Sequence, residues 1–130
     1  MNVRNLRFNE PMPEGMATGF EGMPLQHEWV WAAEEDGIAT GVVMAAPCHG
    51  LVYVMRLCVP KGANPQTAMA LLRACMRDSE NRGFRGFFFH IDPTVEIDRR
   101  IMILCGKMGI RPLTMPQCLI VGSVAAARKY

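Results

Sequence analysis

The sequence lacks any uninterrupted apolar run near the roughly 18 residues that span a bilayer, so no transmembrane helix is expected in its 130 residues. No apolar stretch follows the start Met1-Asn2-Val3-Arg4-Asn5-Leu6-Arg7, so no secretion signal is expected and the expected setting is cytoplasmic. The five cysteines (Cys48, Cys58, Cys75, Cys105, Cys118) form no C-x-x-C pair, which argues against a disulfide framework. Cys48-His49 is the one adjacent Cys/His pair and has no counterpart at zinc spacing, so no metal is expected. Charge of one sign is scarce as well. The net charge is +2 and the arginines are scattered, without the basic run that tracks a phosphate backbone, so nucleic acid is not the expected partner.

What is present is enough for one packed core. Half of the residues are hydrophobic and 20% are charged, at a length that makes one domain and not two. The dispersed cysteines read as reduced thiols in apolar runs, and most of the eleven methionines as gap-fillers.

Residues 1–26 read as an extended N-terminal arm. Pro11, Pro13 and Pro24, with Gly15, Gly19 and Gly22, rule out a long helix or strand there. Phe8, Met12, Met16 and Phe20 need burial, either on the domain or on a partner, such as a second copy or another protein subunit. From His27 the pattern changes. Trp29 to Ala33 and Ile38 to Ala45 are two apolar segments joined by Glu34-Glu35-Asp36-Gly37, a β-hairpin signal. Pro47-Cys48-His49-Gly50 makes a turn, and Leu51 to Val59 reads as a strand buried on both faces, interrupted only by Arg56.

Asn64-Pro65 is a cap followed by proline at the first helical position. The helix runs to about Arg82 on a stripe of Ala68, Leu71, Leu72, Cys75 and Met76, with Asp78 among its water-facing residues, and Gly83 stops it. A short aromatic strand covers 86–91. Asp92-Pro93 opens a second helix to about Met108, with Cys105 on its inner stripe. Gln117 to Val124 is a last strand. The divisions are thus an arm (1–26), one α/β (α+β) domain (27–124) and a basic tail (125–130). The sheet is mixed and mostly antiparallel, with a central parallel βαβ unit of right-handed crossover.

This order resembles the central part of the GNAT family of N-acetyltransferases. The resemblance is carried by the hairpin Trp31 to Gly37 with Thr40-Gly41-Val42-Val43, by Leu57-Cys58-Val59-Pro60 followed by Ala70-Leu71-Leu72, and by Leu104 to Ile110 closing the second helix. It covers about Trp29 to Val121, with the family's N-terminal helices reduced or absent. It implies acetyl-coenzyme A bound across the opening between the third strand and the first helix, and puts Leu57, Cys58, Val59, Ala63, Asn64, Gln66, Thr67 and Ala68 at the cofactor. A glycine-rich loop in the family lets backbone amides close on the diphosphate. The matching positions here are Ala63, Gln66 and Ala68, of which only the last fits, and Pro65 removes an amide. Cys105 stands where many members place the tyrosine that protonates the leaving thiolate, and Asp98 where an asparagine often precedes it.

Amide formation needs a base, and His90, Glu28 and His49 are candidates, with His90 at a strand end the foremost. Catalytic roles thus fall on His90 and Cys105, against the plainer readings of a satisfied histidine and a packed thiol. The expected function is acetyl transfer from acetyl-coenzyme A to an amine. The alternative is a catalytically inactive binding or structural subunit of the same fold. Short chains of this style resemble bacteriophage proteins, some of them virion components.

Overall fold

The structure is a computed structural model of the chain, and it describes residues 1–23, 25–89, 94–107 and 109, with the backbone alone at 18, 19, 97 and 104. Strands β1 (Asn2–Asn5), β2 (Val30–Glu35), β3 (Ile38–Cys48), β4 (Leu51–Cys58) and β5 (Phe87–Phe88) form one sheet in the order β1-β2-β3-β4-β5. Helix α1 (Thr67–Asn81) connects β4 to β5, which pair in parallel, while the other neighbours are antiparallel; α2 (Glu96–Lys107) follows. This is the mixed sheet expected from the sequence. The predicted strand at 117–124, the tail at 125–130 and the Asp92-Pro93 cap lie outside the described residues.

Local chemistry explains both hairpins. Asp36 and Gly37 have φ of 53° and 78°, and His49 and Gly50 have 53° and 80°; a two-residue turn of this kind needs positive φ at both positions. At the start of α1, Asn64 Oδ1 accepts the Gln66 amide at 2.9 Å, as a cap should, and Asn64 O accepts the Thr67 amide at 2.9 Å.

Apolar side chains fill both faces of the sheet. One face joins Trp31, Val43, Val52 and Val54 to Leu71, Leu72 and Cys75 of α1, to Phe89 and to Cys105 of α2. The other joins Val30, Ala32, Val42 and Met44 to Leu6, Met16 and Phe20. The arm therefore does the covering there, helped by a short 3-10 turn at Ala17–Phe20.

Two sequence expectations are corrected, and the arm holds one short strand that the sequence pattern does not mark. Residues 2–5 form a strand on the outer edge of β2, because pairing with β2 satisfies a backbone whose own sequence carries no strand pattern. Phe8 is 84% exposed, with its ring 5.7 Å from that of His27. Asp78 does not simply face water: its carboxylate accepts the indole N–H of the fully buried Trp31 at 2.7 Å, which satisfies a donor that would otherwise be stranded in the core.

The arm is also held by charge. Arg4 reaches Glu10 at 2.8 Å and Glu34 at 2.7 Å. The Arg4 hydrogen bond, then the Arg7 amide, hold the Glu10 carboxyl at about 2 instead of 4.5. A carboxyl lowered on folding stabilises the fold above its unfolded value and loses that contribution as pH falls. Glu10→Gln is thus expected to be less stable than the parent at pH 7, with the gap closing between pH 4.5 and about 2. Urea melts of both proteins across that range check it; a gap independent of pH contradicts it.

Candidate functional site

The site begins with one extra residue in β4. Met44 is paired with Arg56 and Ala45 with Val54, so Met55 has no partner of its own on β3. Such a bulge bends a strand and increases its twist. It also resets the alternation: Val52 and Val54 face the α1 side before it, and Leu57 and Val59 face that side after it, so Arg56 is left exposed. The sequence reading of a strand buried on both faces missed this, though Arg56 interrupting the apolar run is its trace.

Below the bulge β4 pairs with β5, but only at Val52↔Phe87 and Tyr53↔Phe88. Above it, among the described residues, the β4 edge has no strand beside it. The space left is a cleft of about 280 Å³ lined by Val54, Met55, Arg56 and Leu57 of β4, with Leu72, Phe89, Asp98 and Ile101 opposite. Its walls are mostly apolar. Asp98 and Arg56 are the charged side chains in its lining.

Gly41 sets how closely α1 approaches. A Cβ there would stand 2.9 Å from Leu71 Cδ1 and from Thr67 Cγ2, and 3.2 Å from the Cys58 carbonyl oxygen. Only glycine lets the first turns of α1 lie directly on β3, beside the end of β4. At that turn Pro65 has no amide, and the amides of Gln66 and Thr67 are both taken by Asn64. The amides of Ala68 and Met69 meet no acceptor among the described residues. Asn64 Nδ2 in turn donates to the Glu35 carboxylate at 3.2 Å, so an acidic group sits at the mouth of the helix. Thr67 is fully buried, and its hydroxyl has no partner among the described residues.

The predicted site residues are distributed unevenly. Leu57 lines the cleft; Cys58 is partly buried towards the arm side, and Val59 packs towards α1. Ala63, Asn64, Gln66, Thr67 and Ala68 lie in the turn into α1 and in its first turn, and none of them is among the residues lining the cleft. His90 follows Phe89, a lining residue, but lies outside the described residues. His49 sits in the turn that begins β4, on the order of 20 Å of strand from the cleft. Glu28 is exposed, and its carbonyl takes hydrogen bonds from Asn5 and Arg82.

Cys105 is 4% exposed within the core, and burial pushes its thiol up to about 11. Packing accounts for it. Cys105→Ala is expected to lower stability by about 1 kcal/mol, the scale of one small buried group. Chemical denaturation checks this, and an unchanged midpoint would show that the thiol does not pack. The sequence marks Asp98 only as the residue at a position where the family it resembles often has asparagine, Gly41 and Leu72 only as motif residues and Ile101 only as part of a helix stripe. The bulge in β4 and the placement of α2 bring Asp98, Leu72 and Ile101 to one cleft.

No protein-family model and no curated protein sequence matches the chain. Its structure is similar to the ribosomal-protein-S18-alanine N-acetyltransferase from Escherichia coli, at 11% identity and TM-score 0.63, over 87% of this chain and 79% of that one. It is similar to diaminobutyrate acetyltransferase from Paenibacillus lautus in complex with L-2,4-diaminobutyric acid and coenzyme A, at 15% identity and TM-score 0.59, over 82% and 75%. It is also similar to an aminoglycoside N-acetyltransferase in complex with coenzyme A, at 21% identity and TM-score 0.53, over 67% and 70%. At such identities the likeness is one of fold, and the fold is that of the GNAT N-acetyltransferases.

Proposed function

We propose that this chain is an acyltransferase that takes an acyl thioester of the coenzyme A type in the β4–α2 cleft and passes the acyl group to an amine. The observation that carries the reading is the cleft itself. It lies at the bulge in β4, against Leu72 of α1 and Asp98 and Ile101 of α2, in a chain with this fold.

The residues present fit one end of that donor well. An apolar cleft with a strand edge unpaired among the described residues suits a narrow amide-bearing arm, since strand edges pair with extended amide chains. Leu57, Leu72 and Ile101 enclose the arm and exclude water, and Gly41 lets α1 close beside it. Acetyl-coenzyme A supplies an activated acyl carbon there when bound.

The chain's own task is then to position the amine and accept its proton. Asp98 is the carboxylate in the cleft lining and takes that role, directly or through water. His90, next along the chain from Phe89, is the competing base. Cys105 is left as core.

Release of free thiol from acetyl-coenzyme A in the presence of a panel of primary amines tests the reading, with Ile101→Trp as a cleft-filling control. Amine-dependent release that Ile101→Trp abolishes supports it. Asp98→Asn is expected to lower turnover by about 10²–10⁴-fold, the usual worth of a positioned base, whereas His90→Gln is expected to leave it. Binding without transfer to any amine would instead identify a catalytically inactive binding subunit.

A further inference from the structure

The cleft carries one charge of each sign on facing walls. Arg56 stands on β4 and Asp98 on α2, and the remaining lining residues are apolar. The bulge is what puts Arg56 there. By the two-residue alternation of a strand, Arg56 would follow Val52 and Val54 onto the α1 face and into the core. The extra residue at Met55 turns it out of that face and leaves it exposed in the cleft lining. An arginine so placed lays its stem along an apolar wall and keeps its guanidinium at the mouth.

Arg4, Arg77 and Arg100 each pair with a carboxylate, whereas the Arg56 side chain has no ion-pair or hydrogen-bond partner among the described residues. Asp98 does have an interaction partner, and the two oxygens of a carboxylate leave acceptor sites for a second. A guanidinium without its carboxylate on one wall and a carboxylate on the other suit a ligand with the reverse pair of charges. Apolar walls strengthen both attractions.

We propose that the amine acceptor carries a carboxylate of its own, which Arg56 holds while Asp98 receives the amino group. The acceptors are then amino acids and related amino carboxylates. This rests on the acyltransferase reading above and adds the class of acceptor. The acceptor nitrogen forms the amide bond as the thioester C–S bond breaks; its proton passes to Asp98, and the departing thiolate takes up a proton to leave as free thiol. Arg56 takes no part in these bonds and sets specificity alone.

Thiol release from acetyl-coenzyme A by the intact protein, compared at equal concentrations of free amine, tests this with glycine against glycinamide and β-alanine against β-alaninamide. Each acid is expected to exceed its amide in kcat/KM by about tenfold, the scale of a charge-assisted pair at a partly wet site, and the ratio is expected to fall as salt rises. Arg56→Gln is expected to bring the ratio to within about twofold of one, and Arg56→Lys to keep part of it, with thermal melts confirming the fold. 2-Aminoethylphosphonate set against β-alanine identifies the anion: faster transfer to the phosphonate overturns the carboxylate assignment.

Acids and amides accepted equally by the natural chain, or an acid preference that survives Arg56→Gln, overturn the inference and leave the acyltransferase reading standing. Absence of amine-dependent release with every compound overturns that reading itself.

Discussion

Removal of residues 1–26 is expected to leave a protein that aggregates or fails to fold. The arm buries Leu6, Met16 and Phe20 to 5% exposure or less against Val30, Ala32, Val42 and Met44. Three such side chains account for about 5–9 kcal/mol of transfer free energy, which is comparable to a small domain's whole stability. Deletion also strips β1 from β2 and leaves a long apolar strand as an open edge, a template for pairing with other chains. The Arg4 ion pairs and the Arg82 contact to Asn5 tie down the same region and would go with it. Light scattering and a thermal melt of the truncated chain decide the matter. Phe8→Ala is the matched control, expected to change stability by less than about 0.5 kcal/mol because the ring is exposed. A truncated chain that stays monomeric and melts unchanged would show the arm to be an accessory.

The second large effect is expected at Gly41. Alanine there must push aside Leu71 Cδ1, which can swing, and Thr67 Cγ2, which a β-branched side chain cannot easily move. Gly41→Ala is expected to cost about 1–3 kcal/mol, the usual range for overpacking, and Gly41→Val more. The consequence reaches the site. Lifting α1 off β3 moves Leu72 away from Leu57 and widens the cleft, so any ligand affinity should fall together with stability. Denaturant melts beside a binding titration test both. Gly41→Val with unchanged stability would mean that α1 does not rest on β3 as described.

How much could be read from the sequence depends on how local the cause is. Asp36-Gly37 and Asn64-Pro65 act within a few residues, so hairpin and helix were legible. Leu71, Leu72 and Cys75 also showed the buried stripe by spacing alone. Strand β1 was not legible, because Asn2-Val3-Arg4-Asn5 owes its conformation to β2, some thirty residues away. The bulge at Met55 was hidden for a similar reason: one extra residue is defined only against the strand opposite. Phe8 and Phe20 look alike in sequence, yet the turns between them send one to solvent and the other into the core. The cleft inherits this division. Leu57 and Asp98 could be named from their resemblance to a known pattern, whereas Ile101 became a site residue only once α2 was placed opposite β4.

The account stands or falls on whether the cleft is where a thioester binds. Hydrogen exchange of the intact protein, measured with and without saturating acetyl-pantetheine, reads this directly, because backbone amides at a strand edge slow when a ligand pairs with them. Protection is expected to concentrate at Val54 to Leu57, with β1, β2 and the arm unchanged. Protection centred instead on the second cavity, lined by Ser79, Glu80, Phe84, Arg85 and Phe87, or protection nowhere in the chain, would contradict it.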